Sequence, residues 1–258
     1  MRPGNVFFIL TLILAASISG LAQNPLKGTW IMISARGTGP DGEPFKLDSA
    51  TTHETKIITD RHYILIAVDR QGDSATFNRS YAGTLKLDGD QYIETPLYSS
   101  NTIFEGVTTN FHWKVKGDEF IQYGTLTRPD GKKIILEEMI FHRVKEAKAK
   151  GSSIGVWDRI STTSGNGNGT NLFHVVTPGH WMRIAYRNKK FDYAMAGTYT
   201  LKDGKTDIKV DVASIPASSI GKITVVDTVK DSKLHAKVEH IAPDGTVSTW
   251  DDVFKRIE

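Results

Sequence analysis

The sequence predicts an all-β protein made of two small, consecutive up-and-down antiparallel β-barrels. Three observations support this fold class. Short runs of β-branched and aromatic residues are separated by turn residues about every ten positions, helical periodicity is almost absent, and the second half of the chain repeats short motifs of the first. A closed barrel is favoured over an open sheet because only closure removes the exposed sheet edges.

The composition excludes several kinds of chemistry. The 258 residues include no cysteine, which rules out a cysteine zinc site, an iron–sulfur cluster and a thiol nucleophile. The 32 Lys and Arg against 29 Asp and Glu leave a net charge of +3 that is spread along the chain, so we expect no nucleic-acid partner. The 8 histidines show neither His-x-His nor His-x-x-x-His spacing, so we expect no metal, and no motif indicates a cofactor.

Residues 1–22 have the pattern of a signal peptide. Arg2 supplies a positive start, Val6–Ala16 is a continuous apolar run, and Gly20 and Ala22 are small residues suited to a cleavage site. Because the apolar run is shorter than the roughly 20 residues that a membrane-spanning helix needs, we expect no membrane span after cleavage. The protein is therefore predicted to be exported, either to the periplasm or out of the cell.

Five short motifs occur twice in the same order. The first copy is the longer one, because of an extra excursion at about Gly37–Thr55. The charged stretch 145–153, which ends in Gly and Ser, is predicted to be a linker between a first barrel at 23–144 and a second at 154–258. The paired motifs are Lys27–Trp30 with Ile154–Trp157, Thr59–Tyr63 with Thr177–Trp181, Tyr81–Leu85 with Met195–Tyr199, Pro129–Gly131 with Pro243–Gly245, and Phe141–Val144 with Phe254–Ile257.

In the first copy, residues that tolerate left-handed backbone mark the hairpins. They occur at Asp88-Gly89, Lys116-Gly117-Asp118 and Pro129-Asp130-Gly131. Gly83 is expected to kink a long strand, and a small helix at Ser49–Thr55 is expected to cover one mouth of the barrel. The predicted strands are Trp30–Ser34, Lys56–Thr59, His62–Asp69, Thr76–Leu87, Gln91–Tyr98, Thr108–Val115, Glu119–Leu126 and Lys133–Val144.

The second copy has the same kinds of turn residues between its predicted strands. Asp203-Gly204 and Pro243-Asp244-Gly245 repeat the hairpin chemistry of the first copy. Each copy therefore has enough strands to close on itself. The predicted strands are Trp157–Thr162, Leu172–Val176, His180–Tyr186, Asp192–Leu201, Lys205–Val212, Ile223–Val229, Lys233–Ile241 and Val247–Arg256.

The first and last strands of each copy carry a recognisable set of residues. These are Gly28-x-Trp30 with Arg143, and Gly155-x-Trp157 with Arg256. Each set resembles the signature of the lipocalin and calycin barrels, and the chain looks like the lipocalin-like domains of exported bacterial proteins of unassigned function. The resemblance implies that the Trp closes one end of a barrel and that the Arg packs across it. A guanidinium on an indole face gains roughly 0.5–2 kcal/mol. Each copy is shorter than a usual lipocalin.

Two histidines occupy equivalent places at the start of an apolar strand. His62 is followed by Tyr63, and His180 by Trp181. As ligand-binding residues, these side chains would place a polar group and an aromatic ring at the mouth of each barrel. The alternative is a strand-start histidine that only satisfies backbone carbonyls, which is the commoner role.

Tyr92, Glu94 and Tyr98 fall on one face of a predicted strand, because successive side chains of a strand alternate. If this face points inward, Glu94 anchors a ligand with Tyr92, or acts with His62 as an acid–base pair. If it points outward, Glu94 is one of many solvated carboxylates, which is the commoner situation. The second copy has Thr206–Lys209 in this region, so a polar pocket is expected in the first copy only.

Phe111, Trp113 and Tyr123 are candidate walls of a cavity in the first copy. They lie on two neighbouring predicted strands and alternate with polar residues. The interior of a barrel of about eight strands is either filled by its own side chains or holds one small ligand. Filling is the commoner outcome, so the sequence leaves both interpretations open.

The leading functional hypothesis is an exported protein that binds a small apolar or amphipathic ligand in one or both barrels. One alternative is an enzyme in which His62 and Glu94 do general acid–base work inside the first barrel. Another is an interaction protein with filled barrels. The sequence contains no nucleophile elbow, phosphate loop or dinucleotide fingerprint, so no further catalytic residue is predicted.

Overall fold

The protein folds into two closed, eight-stranded antiparallel barrels, and the predicted fold class is confirmed. The computed structural model describes residues 24–258 except 73, 102, 103, 105, 148–150, 152, 166–168 and 217–219. No α-helix is assigned within these residues. The predicted signal peptide, 1–22, lies outside them.

In the first barrel, every strand except the second pairs with the next strand in the sequence, and the ring closes between the first and the last strand. The second strand is an addition: β1 pairs with β3 along its first half and with β2 along its second half, so β2 and β3 share one place in the ring. The strands are β1 Gly28–Thr38, β2 Pro44–Asp48, β3 Thr52–Ile58, β4 His62–Gln71, β5 Ser74–Asp88, β6 Gln91–Ser99, β7 Thr109–Lys116, β8 Glu119–Thr127 and β9 Lys133–Arg143.

The second barrel is a simple ring that closes between its first and last strands. Its chain order equals its spatial order, as expected for consecutive hairpins. The strands are β10 Gly155–Thr162, β11 Thr170–Thr177, β12 His180–Arg187, β13 Lys190–Lys202, β14 Lys205–Ala213, β15 Lys222–Lys230, β16 Lys233–Ile241 and β17 Val247–Arg256.

The helix predicted at Ser49–Thr55 is wrong. A turn follows β2, where the Asp48 carboxylate accepts hydrogen bonds from the backbone N–H groups of Ala50 and Thr51, both at 3.0 Å. This Asx-type capping reverses the chain and allows it to enter β3 directly. The extra excursion of the first copy is therefore the β1–β2 hairpin, which lengthens one wall at the end of the barrel.

The kink predicted at Gly83 is a β-bulge, and the second barrel repeats it at Gly197. At both glycines the neighbouring strand approaches so closely that a Cβ atom would collide with a carbonyl oxygen, of Thr95 or of Lys209. Only glycine fits such an approach. Both barrels therefore bend at the same place for the same steric reason.

One end of each barrel is closed by a tryptophan beneath an arginine, as the resemblance implied. The guanidinium carbon of Arg143 lies 4.1 Å from the centre of the Trp30 ring, and that of Arg256 lies 4.3 Å from Trp157. Each indole N–H donates a hydrogen bond of 2.7 Å to the backbone carbonyl four residues earlier, that of Leu26 in the first barrel and that of Ser153 in the second. Both tryptophans are fully buried, so this end of each barrel is sealed.

The two barrels pack together through the outer faces of β3–β5 and β11–β13. One apolar cluster contains Ile57, Ile64 and Ile66 from the first barrel together with Phe173 and Ile184 from the second. Since both faces of these strands are covered, β4 is a continuous buried run from 63 to 68. We call this packed surface the inter-barrel seam.

Polar contacts at the end of the seam align the barrels. The Glu258 carboxylate accepts hydrogen bonds from the Thr59 hydroxyl (2.9 Å) and from the backbone N–H of Arg61 (3.1 Å), and it contacts His62 Nδ1 (2.6 Å). Partial burial raises the pKa of Glu258, but hydrogen bonds with His62, Thr59 and the Asp60 backbone outweigh it and lower the pKa. The second barrel thus holds the β3–β4 turn of the first.

Candidate functional site

The first barrel encloses a cavity of about 520 Å³. Its lining includes Pro40 from the β1–β2 loop, Phe104 from the β6–β7 loop and Ile134 at the start of β9. These residues lie at the end of the barrel opposite to Trp30, so the cavity opens where the extra β1–β2 hairpin extends the wall. We call this space the β1–β9 cavity.

Most of the wall is apolar. Side chains alternate along each strand, and most of those that point into the cavity are aromatic or aliphatic. Tyr63 and Leu65 come from β4, Phe111 from β7, and Leu136 and Met139 from β9. A ligand entering this space would therefore meet mainly carbon.

A buried ion pair lies against this apolar wall. Lys56 Nζ is 2.8 Å from Glu94 Oε1, and the two residues are 2% and 7% exposed. The Tyr92 hydroxyl donates 2.6 Å to the same carboxylate oxygen and accepts a longer hydrogen bond, 3.4 Å, from Lys56. Both members of the pair line the cavity, so a charged amine and a carboxylate are sheltered from water within reach of a ligand.

Three aromatic rings surround the ammonium group of Lys56. Its nitrogen lies 5.7 Å from the ring centre of Tyr63 and 5.2 Å from those of Tyr92 and Phe141. Cation–π attraction at desolvated sites reaches about 2 kcal/mol. The rings and Glu94 together stabilise a positive charge at this one position.

The two tyrosines beside the ion pair are neutral. Burial raises the pKa of Tyr92 well above its usual value, and the nearby Glu94 charge raises it further. Burial likewise raises the pKa of Tyr63, again with help from Glu94. Their hydroxyl groups keep their protons at every physiological pH.

A second ion pair, between Arg79 and Glu54, also lines the cavity. Their side chains meet at 2.6 Å, with Glu54 almost fully buried and Arg79 about one quarter exposed. Close by, burial raises the pKa of Tyr81 to about 12, with Arg79 opposing the effect and Glu54 adding to it. Within each pair the positive charge compensates the negative one, so the four side chains carry no net charge.

Two buried polar atoms on the cavity wall have no hydrogen-bond partner among the described residues. They are Gln122 Oε1 and Thr109 Oγ1, from residues that are 3% and 6% exposed. A buried polar atom without a partner costs about 1–3 kcal/mol. Both atoms are covered by their neighbours, so only a water molecule or a small shift of the wall that supplies a hydrogen-bond partner would remove this cost.

The structure brings together four of the residues that the sequence singled out. Tyr63, Glu94 and Phe111 line the β1–β9 cavity, and Tyr92 lies directly behind Glu94. The expectation that Glu94 is solvated is wrong, because Lys56 on β3 compensates its charge inside the barrel.

Other candidates lie elsewhere. Trp113 packs at the edge of the core, where its indole N–H donates 3.1 Å to the Gly89 carbonyl. Tyr123 is 36% exposed and stacks on His112 at the surface. Tyr98 does not share the face of Glu94, because a bulge in the β5–β6 pairing turns its ring to the inter-barrel seam.

His62 does not reach Glu94. It neighbours Tyr63, which points inward, and its own ring points outward to Glu258 and Phe173 of the second barrel. The predicted acid–base pair of His62 and Glu94 is therefore not formed. This removes the geometric basis of the enzyme hypothesis.

The interior of the second barrel is filled. The internal space found there is about 40 Å³ and is lined among others by Trp181, Arg183 and Tyr199. Trp181 packs in this core with its indole N–H 3.3 Å from the Thr198 carbonyl, whereas His180 points to the groove between the barrels. Neither residue faces a space that could hold a ligand inside the second barrel.

Strand pairing shows which residues correspond in the two barrels. Lys56 pairs with Leu65 in β3–β4, and His174 pairs with Arg183 in β11–β12. Counting from the equivalent His62 and His180, His174 takes the place of Lys56, and Arg183 that of Leu65. In the following strands Glu94 pairs with Leu85 and Ile208 pairs with Tyr199, the equivalent ends of a repeated motif, so Ile208 takes the place of Glu94. The second barrel thus has no ion pair at this position and a larger side chain opposite.

Sequence reasoning missed seven polar residues of the cavity, because polar and charged residues inside a barrel contradict the usual inward-apolar pattern. The only available signal was the alternation Glu54-x-Lys56-x-Ile58, which places both charges on the face that carries an apolar side chain. The seven are Glu54, Lys56, Asn78, Arg79, Asn101, Thr109 and Gln122.

Two further features are absent from the described part of the chain. No helix there is long and apolar enough to cross a membrane. No group of three or more His, Asp or Glu side chains there is arranged to hold a metal ion.

The fold and the cavity define an all-β protein with two tandem eight-stranded antiparallel barrels, the first of which is hollow. No protein-family model matches the chain, and no curated protein matches it. Solved structures with a detectable likeness include Rv2717c from M. tuberculosis, with 11% identity and a TM-score of 0.21 over 95% of this chain and 99% of that one. Another is a protein of unknown function from the DUF3598 family of Nostoc punctiforme PCC 73102, with 11% identity and a TM-score of 0.26 over 90% and 96%. At these TM-scores neither likeness bears on what this chain does.

Proposed function

We propose that the chain is a lipocalin-like binding protein that holds one small, mainly apolar ligand in its first barrel. The observation that carries the proposal is the β1–β9 cavity of about 520 Å³. Ligand sites are commonly clefts of about 300–1,000 Å³ with apolar walls and a few placed polar groups. The Trp–Arg closure at Trp30 and Arg143, repeated at Trp157 and Arg256, supports the lipocalin-like type.

The charges in the cavity favour an uncharged ligand with a polar head. Lys56 is compensated by Glu94 and Arg79 by Glu54, so a charged ligand would bring an uncompensated charge into a sheltered site. A neutral head group that carries an O–H or N–H, in contrast, brings no charge, and a small shift of the wall would let it donate a hydrogen bond to Gln122 Oε1.

We further propose that the protein is exported, as the pattern of residues 1–22 predicts. An exported binding protein without cysteines must rely on packing for its stability. The filled second barrel supplies such packing through the inter-barrel seam, and we assign it a supporting role rather than a second binding site.

The proposal is tested by titration with the neutral, fluorescent and apolar probe N-phenylnaphthylamine, followed by displacement with decanol. We expect saturable binding of one probe per chain and full displacement. Native mass spectrometry of the freshly purified chain would show whether a small molecule copurifies.

Two variants locate the binding. Ala35→Trp places an indole in the cavity and should abolish probe binding, whereas Ile33→Trp adds the same side chain to the outer face of the same strand and should not. Far-UV circular dichroism checks that both variants fold. The proposal fails if the unmodified chain binds no probe, or if Ala35→Trp binds as well as Ile33→Trp.

A further inference from the structure

We propose that the ligand is a lipophilic aldehyde and that Lys56 binds it covalently as an imine. This inference rests on the proposed binding function and adds to it the chemical class of the ligand and the atom that it bonds. A ligand-sized cavity that encloses a primary amine beside a carboxylate is the observation behind it.

The amine lies where a reactive head group would arrive. Lys56 lines the cavity together with Glu94, Gln122 and Thr109, and the aliphatic and aromatic wall would hold the tail of the ligand. Thr109 on the same wall has an unpartnered hydroxyl, a group that can donate to a carbonyl oxygen. Lysines shielded from water are the residues that form imines with carbonyl compounds in proteins.

The reaction balances with groups already present. Glu94 accepts a proton from the Lys56 ammonium, and the free amine forms a C–N bond to the aldehyde carbon as the carbonyl electron pair moves to oxygen. The oxygen takes up the proton from Glu94 and then a second proton from the nitrogen, and it leaves as water when the C=N bond forms. One ammonium and one aldehyde give one iminium ion and one water, so charge and atoms are conserved.

The surroundings of Lys56 fit the product as well as they fit the free amine. The iminium nitrogen keeps the positive charge at the same place, 2.8 Å from Glu94 and faced by the rings of Tyr63, Tyr92 and Phe141. No new charge is buried, and the groups that stabilise it are already oriented. The Tyr92 hydroxyl holds the carboxylate in position.

The second barrel provides an internal comparison. His174 stands at the place of Lys56, and Ile208 at the place of Glu94. Its interior offers neither an amine nor the space for a ligand. Covalent capture should therefore be confined to the first barrel.

The test is reductive trapping. The chain is incubated with decanal and sodium cyanoborohydride, digested, and analysed by mass spectrometry for alkylated lysines. Because binding concentrates the carbonyl beside the amine, Lys56 should be labelled about tenfold faster than exposed lysines such as Lys86 and Lys209. An excess of decanol should protect Lys56 and leave the surface lysines unchanged.

This design needs no variant, and it separates the two proposals. If decanal and decanol both displace the fluorescent probe but Lys56 is labelled no faster than Lys86, covalent capture is overturned and the binding function stands. If neither compound displaces the probe, both proposals fail. Labelling of Lys56 that decanol does not reduce would also overturn capture inside the cavity.

A spectroscopic readout tests the role of Glu94. The conjugated aldehyde cinnamaldehyde should give a long-wavelength absorption band of a protonated imine in the unmodified chain. Glu94→Gln keeps the side-chain shape but removes the counter-charge, so the band should shift to that of the neutral imine at pH 7. Lys56→Arg, which retains the positive charge, should give no band, and an unchanged band in Lys56→Arg would overturn the assignment.

Discussion

The two barrels share a plan and differ in what fills them. Both close between their first and last strands, both carry a Trp–Arg seal, and both bend at an equivalent glycine. Yet the first contains a space of about 520 Å³ and the second one of about 40 Å³. Closure of the ring therefore does not decide whether a barrel is hollow, and the side chains at a few inward positions do.

The corresponding positions show how the second barrel is filled. Arg183 stands where the first barrel has Leu65, and it lies 4.7 Å from the ring of Trp181. Tyr199, on β13, donates 3.0 Å to the Thr177 carbonyl from within the core. Larger side chains thus occupy the middle of the second barrel. The first barrel instead carries its polar groups on the wall and leaves the centre empty.

The largest effects should be those that the two barrels have in common. Trp30→Ala and Trp157→Ala each remove a fully buried indole from a sealed end, and each should lower the free energy of unfolding by about 3–5 kcal/mol. Urea unfolding followed by circular dichroism measures both. A large loss for one variant and a small loss for the other would show that the seals are not equivalent.

Removing the residue at this position should cost more stability in the first barrel, where it breaks an ion pair, than in the second. Lys56→Met leaves Glu94 buried without its partner and should cost about 3–5 kcal/mol. His174→Met, at the corresponding position, should cost clearly less, because burial lowers the pKa of His174 and the neutral ring has an unpartnered Nδ1. Urea unfolding of both variants gives the comparison.

A double variant provides the control for that experiment. Lys56→Met combined with Glu94→Leu removes both charges and should recover most of the lost stability, since the apolar pair suits the rest of the wall. If the double variant is as unstable as Lys56→Met alone, the loss comes from packing and not from an uncompensated charge.

Adding volume should be tolerated in one barrel and not in the other. Ala236→Leu enlarges a side chain in the filled interior and should cost about 1–3 kcal/mol. Ala35→Leu makes the same change on the wall of the β1–β9 cavity and should cost less than about 1 kcal/mol. Equal costs, measured as shifts in the urea midpoint, would mean that the first barrel is not hollow in solution.

The smallest effect concerns pH and belongs to the second barrel. Burial raises the pKa of Asp227 to about 6, against opposing effects of Ser153 and Arg183. The folded state holds this proton more tightly than the unfolded chain, so its contribution to stability falls as the pH rises from about 4 to about 6. Asp227→Asn should therefore stabilise the protein by about 1–2 kcal/mol at pH 7 and hardly at all at pH 3.5.

The control for the pH experiment is Asp207→Asn, which removes an exposed carboxylate from the same barrel. Its thermal midpoint should follow that of the unmodified protein at every pH. An Asp227→Asn profile parallel to that of Asp207→Asn would contradict the buried position of Asp227.

Most of the fold could be predicted from local patterns. Sixteen of the 17 strands in the described residues coincide with predicted ones, because hairpin residues such as Asp203-Gly204 and Pro129-Asp130-Gly131 mark the turns directly. The one missed strand, Pro44–Asp48, is short, begins with proline and pairs with only half of β1. Its existence depends on the path of β1, which no local signal encodes.

The site was only partly predictable, for a different reason. The alternation of side chains along the strand placed Tyr92 and Glu94 on the same face. Whether that face points inward depends on a positively charged partner inside the barrel, and this partner, Lys56, is 38 positions away in the sequence. Parity also fails after a bulge, which is why Tyr98 turned to the inter-barrel seam. Partners distant in sequence and slips in register are properties of the closed ring and not of any one strand.

The inter-barrel seam makes the two halves dependent on each other. Phe77 and Phe191 stack across it at 5.4 Å, beside an apolar sheet face from either half. Expressed alone, each half would expose this apolar surface to water and tend to aggregate. The first barrel could therefore not be produced by simple truncation. A shortened protein would need polar substitutions on the outer faces of β3–β5 to remain soluble.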